Sequence, residues 1–307
     1  MTLPDDHADI EMIRDSARGI VAAGDLTRIR KLRYTAPGFD RGVWSEMCEL
    51  GWPALRLPED KGGVGLGMRA YAALAEALGR GLVPEPLIPA VLSAALLEGE
   101  ALAAHLAGEV LAIPAWADAR DTLAPQGDLA ISDGKVTAAK LHVPAGADAF
   151  LVLGAGQAAL VEADAPGVTL IPAATQDGGH ALAASFRGAP CTVLTADPRP
   201  ALAEAALATA AYGLGMMEAA LEMTVAYLKQ RVQFGRTIGQ FQILQHMAVD
   251  LKLEIEVARA SIEAAAAQWD AEGPAAHASI SRAKARASSA LLKVTRDCVQ
   301  LLSLIHI

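Results

Sequence analysis

A segment rich in arginine, phenylalanine and amide side chains joins two long helical stretches near the C-terminal end of the chain. It contains Arg231, Phe234, Arg236 and Gln242, with a glycine directly after Phe234. An arginine guanidinium offers a rigid fork of donors that suits a phosphate, and the N–H groups at the start of a helix favour an anion. Because Gln242 falls where the second helix should begin, one interpretation is an anion site with phenylalanines against a flat ring. The other is a helix–helix turn capped by its own polar residues.

Three amphipathic stretches must position this segment. In the first, leucines recur at every seventh residue, at Leu207, Leu214, Leu221 and Leu228. The other two have helical three-and-four spacing, at Leu244, Met247, Leu251, Ile255, Ala258 and Ile262, then at Ile280, Ala283, Ala287, Leu291, Val294 and Cys298. Gly273-Pro274 separates them. Three such helices predict most of an antiparallel bundle.

The composition of the chain and the spacing of its apolar residues change twice, which divides it into three predicted domains. Residues 1–108 carry helical stripes, residues 109–198 carry short apolar runs between turn residues, and residues 199–307 carry the long helices. The short runs predict β-strands at residues 110–113, 129–131, 135–143, 149–153, 157–161, 168–171 and 191–194. Asp133-Gly134 is a predicted hairpin turn. The predicted fold is α+β and multidomain: a helical N-terminal domain, a middle β-barrel-like domain and an incomplete C-terminal four-helix bundle.

Composition excludes several classes of protein. Of 307 residues, 53% are hydrophobic and 4% aromatic, which argues against disorder and against a β-sandwich. A net charge of −9 without a basic run argues against nonspecific nucleic-acid binding. The N-terminus does not resemble a signal peptide, and the longest apolar run, residues 89–97, is too short to span a membrane. Three scattered cysteines have neither metal nor disulfide spacing, so we expect a cytoplasmic protein without a metal site.

The run from Arg231 to Asp250, R-x-Q-F-G-x-x-I-x-x-F-Q-x-x-x-H-x-x-x-D, resembles the C-terminal signature of the acyl-CoA dehydrogenase family. The predicted order of domains agrees with that family, and residues 57–65 and 133–148 resemble two of its other segments. The resemblance covers nearly the whole chain. It implies an FAD-dependent oxidoreductase: the flavin takes a hydride from Cβ of an acyl-CoA thioester, a carboxylate removes the α-proton, and a 2,3-enoyl-CoA forms.

The resemblance also implies which residues bind the cofactor. In the family the flavin lies at a subunit boundary, and the bundle motif of one subunit reaches the FAD of its neighbour. Arg231 corresponds to the pyrophosphate-binding arginine, Phe234 to a residue packed near the cofactor, and Gln242 to an amide that bonds it. Arg236 has no such assignment. The implied partners are an acyl-CoA substrate, a family-related chain in a homo- or hetero-oligomer, and an electron-transfer flavoprotein.

Two departures from the family pattern concern the flavin ring and the catalytic base. Residues 113–122 lack the Thr-Glu pair that bonds the ring in the family, and His142 stands where a tryptophan is usual. Counted back from Arg231, the positions of a base carried on the first bundle helix are Ala205 and Ala206. Glu204 is one residue off, about 100° around a helix, and a solvated glutamate near the helix start is the simpler interpretation. The catalytic residue is therefore unknown.

A third departure lies at the end of the sequence. After Leu301 the family's glycines and fourth bundle helix are missing, which predicts a truncated end and an uncovered apolar stripe that needs a partner. Four hypotheses follow: a dehydrogenase subunit, a partner subunit lending FAD contacts to a neighbouring chain, a non-catalytic scaffold, or another flavin oxidase or monooxygenase on the same fold.

Overall fold

The computed structural model describes residues 7–21, 24–122, 124–195 and 197–302. Its α-helices are α1 (His7–Ala17), α2 (Thr27–Leu32), α3 (Arg41–Glu49), α4 (Met68–Arg80), α5 (Leu87–Ala94), α6 (Gly99–Leu106), α7 (Arg199–Gln230), α8 (Gln242–Glu272) and α9 (His277–Leu302). Its strands are β1 (Ala112–Ala115), β2 (Ala130–Ser132), β3 (Lys135–Pro144), β4 (Ala149–Leu153), β5 (Ala158–Glu162), β6 (Val168–Ala174), β7 (His180–Pro190), β8 (Thr192–Leu194), β9 (Val232–Gln233) and β10 (Arg236–Thr237). The predicted order of helices, strands and long helices is confirmed.

The middle strands form two four-stranded sheets rather than the predicted barrel-like domain. One sheet has the order β1-β4-β5-β8, with β1 parallel to β4, and the other is antiparallel with the order β2-β3-β7-β6. The predicted turn at Asp133-Gly134 is confirmed, because Ser132 pairs with Lys135 and both turn residues take positive φ, 50° and 68°. Two positive φ angles are those of a type I′ turn, which matches the twist of paired strands.

Strand β7 is missing from the predicted set, although it pairs with both β3 and β6. Its buried residues do alternate, at Leu182, Ala184 and Phe186. The other face of the strand carries Ala181 and Ala183, and these small apolar side chains hide the alternation of apolar and polar types. The residue types of β7 therefore do not predict a strand, although the burial of its side chains alternates regularly.

The described residues group into two compact units. One contains α1, α4, α8, α9 and α7 from Ala206 onward, and the other contains α2, α3, α5, α6, the eight strands β1–β8 and the start of α7. This grouping joins segments that are distant in sequence, and the division at residues 108 and 198 stays a prediction. Within the described residues, no helix is long and apolar enough to cross a membrane.

The three long helices bury the predicted stripes. The four heptad leucines of α7 are at most 7% exposed, and Leu251, Ile255, Ala258 and Ile262 of α8 are at most 2% exposed. Met247 and Leu291 are only half-buried. The register of the helices around the 231–241 connection is thus set by burial of apolar side chains, the dominant favourable term in folding.

Two glycines let α4 and α7 approach closely. A Cβ on Gly215 would lie 2.0 Å from the carbonyl oxygen of Glu76, and one on Gly79 would lie 1.9 Å from that of Tyr212. Gly213 is a matched control on the same helix, since its Cβ would meet only a flexible leucine methyl at 3.3 Å. Alanine is a better helix former than glycine, so helix propensity favours Gly215→Ala. Only the clash with the Glu76 carbonyl oxygen opposes it.

We expect Gly215→Ala to lower the free energy of unfolding by about 2 kcal/mol, because the clash is with backbone that cannot move aside locally. Gly213→Ala should change stability by less than about 1 kcal/mol. Urea denaturation of both variants checks this prediction. Equal stabilities of the two variants would show that α4 and α7 do not pack at this distance.

Candidate functional site

A short hairpin joins α7 to α8 and carries every residue of the predicted cofactor site; we call residues 231–242 the bundle hairpin. Strands β9 and β10 pair with Arg236 opposite Gln233 and Thr237 opposite Val232. The Ile238 N–H donates to the carbonyl oxygen of Arg231 at 2.8 Å, which closes the base of the hairpin. Ile238 is 1% exposed, so its side chain anchors the hairpin on the bundle.

The tip of the hairpin presents an aromatic ring to solvent. Phe234 is 87% exposed and has a φ of 53°, followed by Gly235 at 77°. The rings of Phe234 and Phe241 are nearly perpendicular with centroids 6.2 Å apart, and the Arg236 guanidinium lies 4.2 Å from the centroid of Phe241. A bulky residue at positive φ is uncommon, and here the turn and the ring contact hold it in place. Phe234 is therefore displayed rather than buried in the bundle.

Arg231 and Gln242 lie at the two ends of the bundle hairpin, and both are exposed. Among the described residues, the Arg231 guanidinium has neither a hydrogen bond nor an ion pair. Gln242 is the first residue of α8, and the preceding residue, Phe241, provides no side-chain cap. A helix start without a cap leaves N–H groups directed outward, where they favour an anion.

The three predicted residues all lie on the bundle hairpin, which also carries Arg236, a residue that sequence reasoning left without an assignment. The Arg236 guanidinium stacks on the Phe241 ring, which Phe234 also contacts. The sequence did contain an indication of this contact, because an arginine and two phenylalanines within one short hairpin favour a cation–π interaction. The arrangement offers two guanidinium groups, free helix N–H groups and an exposed aromatic face, which suits an anionic group attached to a flat ring.

Glu204 is engaged in an ion pair, so its interpretation as a solvated glutamate is wrong. Arg56 donates from Nε and Nη2 to the two carboxylate oxygens at 3.0 and 2.5 Å, and the Glu204 side chain is only 18% exposed. A bidentate arginine pair holds a carboxylate in one orientation and occupies both of its oxygens. Glu204 is therefore poorly placed to remove a proton.

The segment that departs from the family's ring-binding pattern surrounds a buried lysine. Lys140 is 2% exposed, and its ammonium lies 2.6 Å from Asp118 Oδ1 and 2.8 Å from the Leu153 carbonyl oxygen. His142 is exposed at a bulge between β3 and β7 with a φ of 55°. Because a lysine has three donors, these contacts and a third to the Trp116 carbonyl at 3.5 Å satisfy it within the protein.

A cluster of charged residues lies between α4, α7 and α8. Arg259 Nη2 lies 2.9 Å from Glu76 Oε1 and 2.6 Å from Glu218 Oε1, and Arg80 joins Glu218 to Glu222 at 2.8 and 2.7 Å. Burial lowers the pKa of Arg259, but hydrogen bonds and charges from Glu76 and Glu218 outweigh burial and raise the pKa above its ordinary value. This cluster joins three helices and is a structural rather than a catalytic group.

An apolar groove of about 630 Å³ runs between α7 and α8 beside this cluster. Its apolar walls are Leu221, Val225, Ala226, Ala248, Val249 and Ile255. Arg231, Phe234 and Gln242 do not line it, so the groove and the predicted cofactor site are separate features.

The fold and the bundle hairpin define a class: an α+β chain whose helical bundle displays an arginine-bearing hairpin between its first two long helices. Residues 7–103 match the family model of the acyl-CoA dehydrogenase N-terminal domain, and residues 198–304 match that of the C-terminal domain. The chain belongs to the acyl-CoA dehydrogenase family.

Comparisons with individual proteins agree. The acyl-CoA dehydrogenase IpdE2 of Mycolicibacterium smegmatis is 32% identical over 295 residues, which cover 95% of this chain and 85% of the relative. A variant of the Tcur3481-Tcur3483 steroid ACAD superposes with a TM-score of 0.86 at 30% identity, covering 98% of this chain and 88% of that one. The ChsE4-ChsE5 complex from Mycobacterium tuberculosis gives a TM-score of 0.82 at 25% identity, covering 99% and 88%. The resemblance inferred from sequence and the fold class are confirmed.

Proposed function

We propose that this chain is a subunit of an FAD-dependent acyl-CoA dehydrogenase and that its bundle hairpin binds the diphosphate of an FAD held by a neighbouring family chain. The observation that carries the proposal is the exposed Arg231 guanidinium, which has no partner among the described residues and stands in the family's motif. The Ile238 N–H bond to the Arg231 carbonyl oxygen fixes the backbone from which the guanidinium extends, and the exposed charge is available to an anion that arrives from outside.

The residues of the hairpin fit this cofactor. Arg231 offers two parallel donors to the diphosphate, and the start of α8 at Gln242 offers an amide and N–H groups. Phe234 offers an exposed ring face, supported behind by Phe241. FAD held at this site would supply the acceptor for the hydride from Cβ of the acyl group. The contribution of this chain is to hold the cofactor in place and to neutralise its charge.

The catalytic base comes from elsewhere in our proposal. Ala205 and Ala206 cannot remove a proton, and the Glu204 carboxylate is held by Arg56. The alternative of a non-catalytic partner subunit that lends FAD contacts is therefore the favoured form of the proposal. Two of the similar solved structures carry paired names, Tcur3481-Tcur3483 and the ChsE4-ChsE5 complex, and we propose a heteromer for this chain as well.

The proposed substrate is an acyl-CoA thioester, and the proposed electron acceptor is an electron-transfer flavoprotein. A steroid thioester is the first candidate to test, since one similar structure is named a steroid ACAD. The experiment is co-expression with a second family chain, followed by a flavin absorbance spectrum and turnover of steroid and fatty acyl-CoA with an artificial acceptor. We expect a yellow complex that reduces the acceptor only when acyl-CoA is present.

Two outcomes of this experiment would contradict the proposal and favour another hypothesis. A complex that stays colourless would indicate a scaffold without flavin. A yellow complex that turns over no acyl-CoA would indicate another flavin oxidase or monooxygenase on the same fold.

A further inference from the structure

One short segment is strongly basic, although the chain as a whole carries a net charge of −9. Within six residues, on α2 and directly after it, stand Arg28, Arg30, Lys31 and Arg33. The sequence-based expectation that the chain has no basic run is therefore wrong for this segment. Arg28 is neutralised within the chain, because its guanidinium donates to both carboxylate oxygens of the buried Glu85 at 2.6 and 3.2 Å. The other three side chains are exposed.

The exposed cations are accompanied by an exposed tyrosine; we call Arg30, Lys31, Arg33 and Tyr34 the α2 patch. Among the described residues, the side chains of Arg30 and Lys31 have neither a hydrogen bond nor an ion pair. Arg33 continues the last turn of the helix, since its N–H donates to the Ile29 carbonyl oxygen at 3.1 Å. Arg30 and Arg33 are three positions apart and are therefore neighbours on one helix face. The Arg33 guanidinium lies 5.2 Å from the centroid of the Tyr34 ring, which is 71% exposed.

The fold holds the tyrosine ring outward in an unfavourable backbone conformation. Tyr34 has a φ of 63°, and its N–H donates to the Gly178 carbonyl oxygen at 2.7 Å. Arg33 Nε donates to the Asp177 carbonyl oxygen at 2.8 Å. Both acceptors lie in the turn between β6 and β7, so two hydrogen bonds fasten the patch to the sheet. A bulky residue at positive φ persists only where its surroundings impose it, and such strain is concentrated at functional sites.

The carboxylate of the same turn does not form an ion pair with the patch. Asp177 accepts hydrogen bonds from the Thr175 hydroxyl and, at 3.0 Å, from the Gly179 N–H. These bonds lie within the turn and hold the Asp177 carboxylate there. The three cations of the α2 patch are therefore without an ion pair among the described residues, and their charge is available to an anionic partner.

The kind of partner follows from the size and the surroundings of the patch. A membrane or a nucleic acid presents a large anionic surface, which the acidic remainder of the chain would repel over about 8 Å at physiological salt. Exposed side chains on a helix and a turn do not enclose a small ligand as a pocket does. Arginine and tyrosine are the residue types that contribute most at protein–protein contacts. A short acidic segment of a protein fits these conditions.

We propose that the α2 patch is a docking surface for an acidic segment of another protein. Carboxylates of that segment contact Arg30, Lys31 and Arg33, and an apolar side chain between them contacts the Tyr34 ring. The contact does not depend on flavin, and the patch contains no residue of the bundle hairpin. Failure of this proposal therefore leaves the proposed function untouched.

The first experiment titrates the full-length protein into a fluorescein-labelled peptide, Glu-Glu-Leu-Leu-Glu-Glu, and measures fluorescence anisotropy. Arg30→Glu combined with Lys31→Glu should raise the dissociation constant about tenfold or more, because two attractions become repulsions. The matched control, Lys135→Glu combined with Arg282→Glu, changes the net charge equally at two exposed positions, and Lys135 lies at the opposite end of β7 from the patch. It should change the constant by less than about twofold. Circular dichroism checks that each variant is folded.

The second experiment tests the role of the tyrosine ring. Wild type should bind the leucine-containing peptide about fivefold more tightly than a peptide of glutamates alone, although the latter carries more charge. Tyr34→Gly should remove this preference, and because glycine accepts a positive φ the backbone stays in place. Equal binding by wild type and the Arg30→Glu, Lys31→Glu variant, or a wild-type preference for the all-glutamate peptide, would overturn the proposal. Tighter binding of phosphatidylserine vesicles or of an oligonucleotide through Arg30 and Lys31 would overturn it as well.

Discussion

Replacement of Arg231 by alanine is expected to weaken FAD binding to the assembled protein by about 10- to 150-fold. The exposed guanidinium has no partner among the described residues, so its hydrogen-bonding capacity is available to the diphosphate. Loss of a charge-assisted contact costs about 1.5–3 kcal/mol, which corresponds to that range of dissociation constants. The measurement is flavin occupancy of the purified complex, followed by titration of the apo complex with FAD.

Two variants test whether the effect belongs to the site. Arg231→Lys should recover part of the affinity, since a lysine keeps the charge but cannot donate two parallel hydrogen bonds. Arg282→Ala removes an exposed arginine from α9 and should leave flavin occupancy unchanged. Full occupancy in the Arg231→Ala complex would contradict the assignment of the hairpin as the diphosphate site.

Replacement of Arg259 by methionine is expected to lower the free energy of unfolding by about 2–3 kcal/mol. The guanidinium joins Glu76 and Glu218, whose side chains are 14% and 16% exposed, so the variant leaves two mostly buried carboxylates close together. Breaking a buried pair on one side costs about 3–5 kcal/mol, and the expected loss is smaller because Arg80 still contacts Glu218 at 2.8 Å. Urea denaturation monitored by circular dichroism gives the value.

The control for Arg259 is an exposed pair. Arg199 and Asp197 lie 2.7 Å apart with side chains 72% and 44% exposed, and Arg199→Ala should leave the free energy of unfolding unchanged within the error of the measurement. A double variant, Glu76→Gln with Arg259→Met, should lose less than the sum of the two single variants, because the first change removes the charge that the second leaves unpaired. An additive loss would mean that Glu76 and Arg259 do not interact in solution.

Several features of this protein follow from local sequence alone. The heptad leucines of α7 and the stripes of α8 and α9 predicted three long helices, because a repeated apolar face must be buried. Asp133-Gly134 predicted its hairpin, since few residue pairs accept two positive φ angles. The run from Arg231 to Asp250 predicted the family, and with it the position of the candidate cofactor site.

The tertiary structure decided the features that depend on neighbours distant in sequence. Strand β7 is a strand because it pairs with β3 and β6, although its alanines hide the alternation. Glu204 is engaged because the fold places Arg56 within hydrogen-bonding distance, 148 positions away in the chain. The contact of Arg236 with Phe241 became evident only from the conformation of the hairpin. Sequence periodicity determines which face of an element is buried, whereas the partner that buries or pairs it is set by the packing of the whole chain.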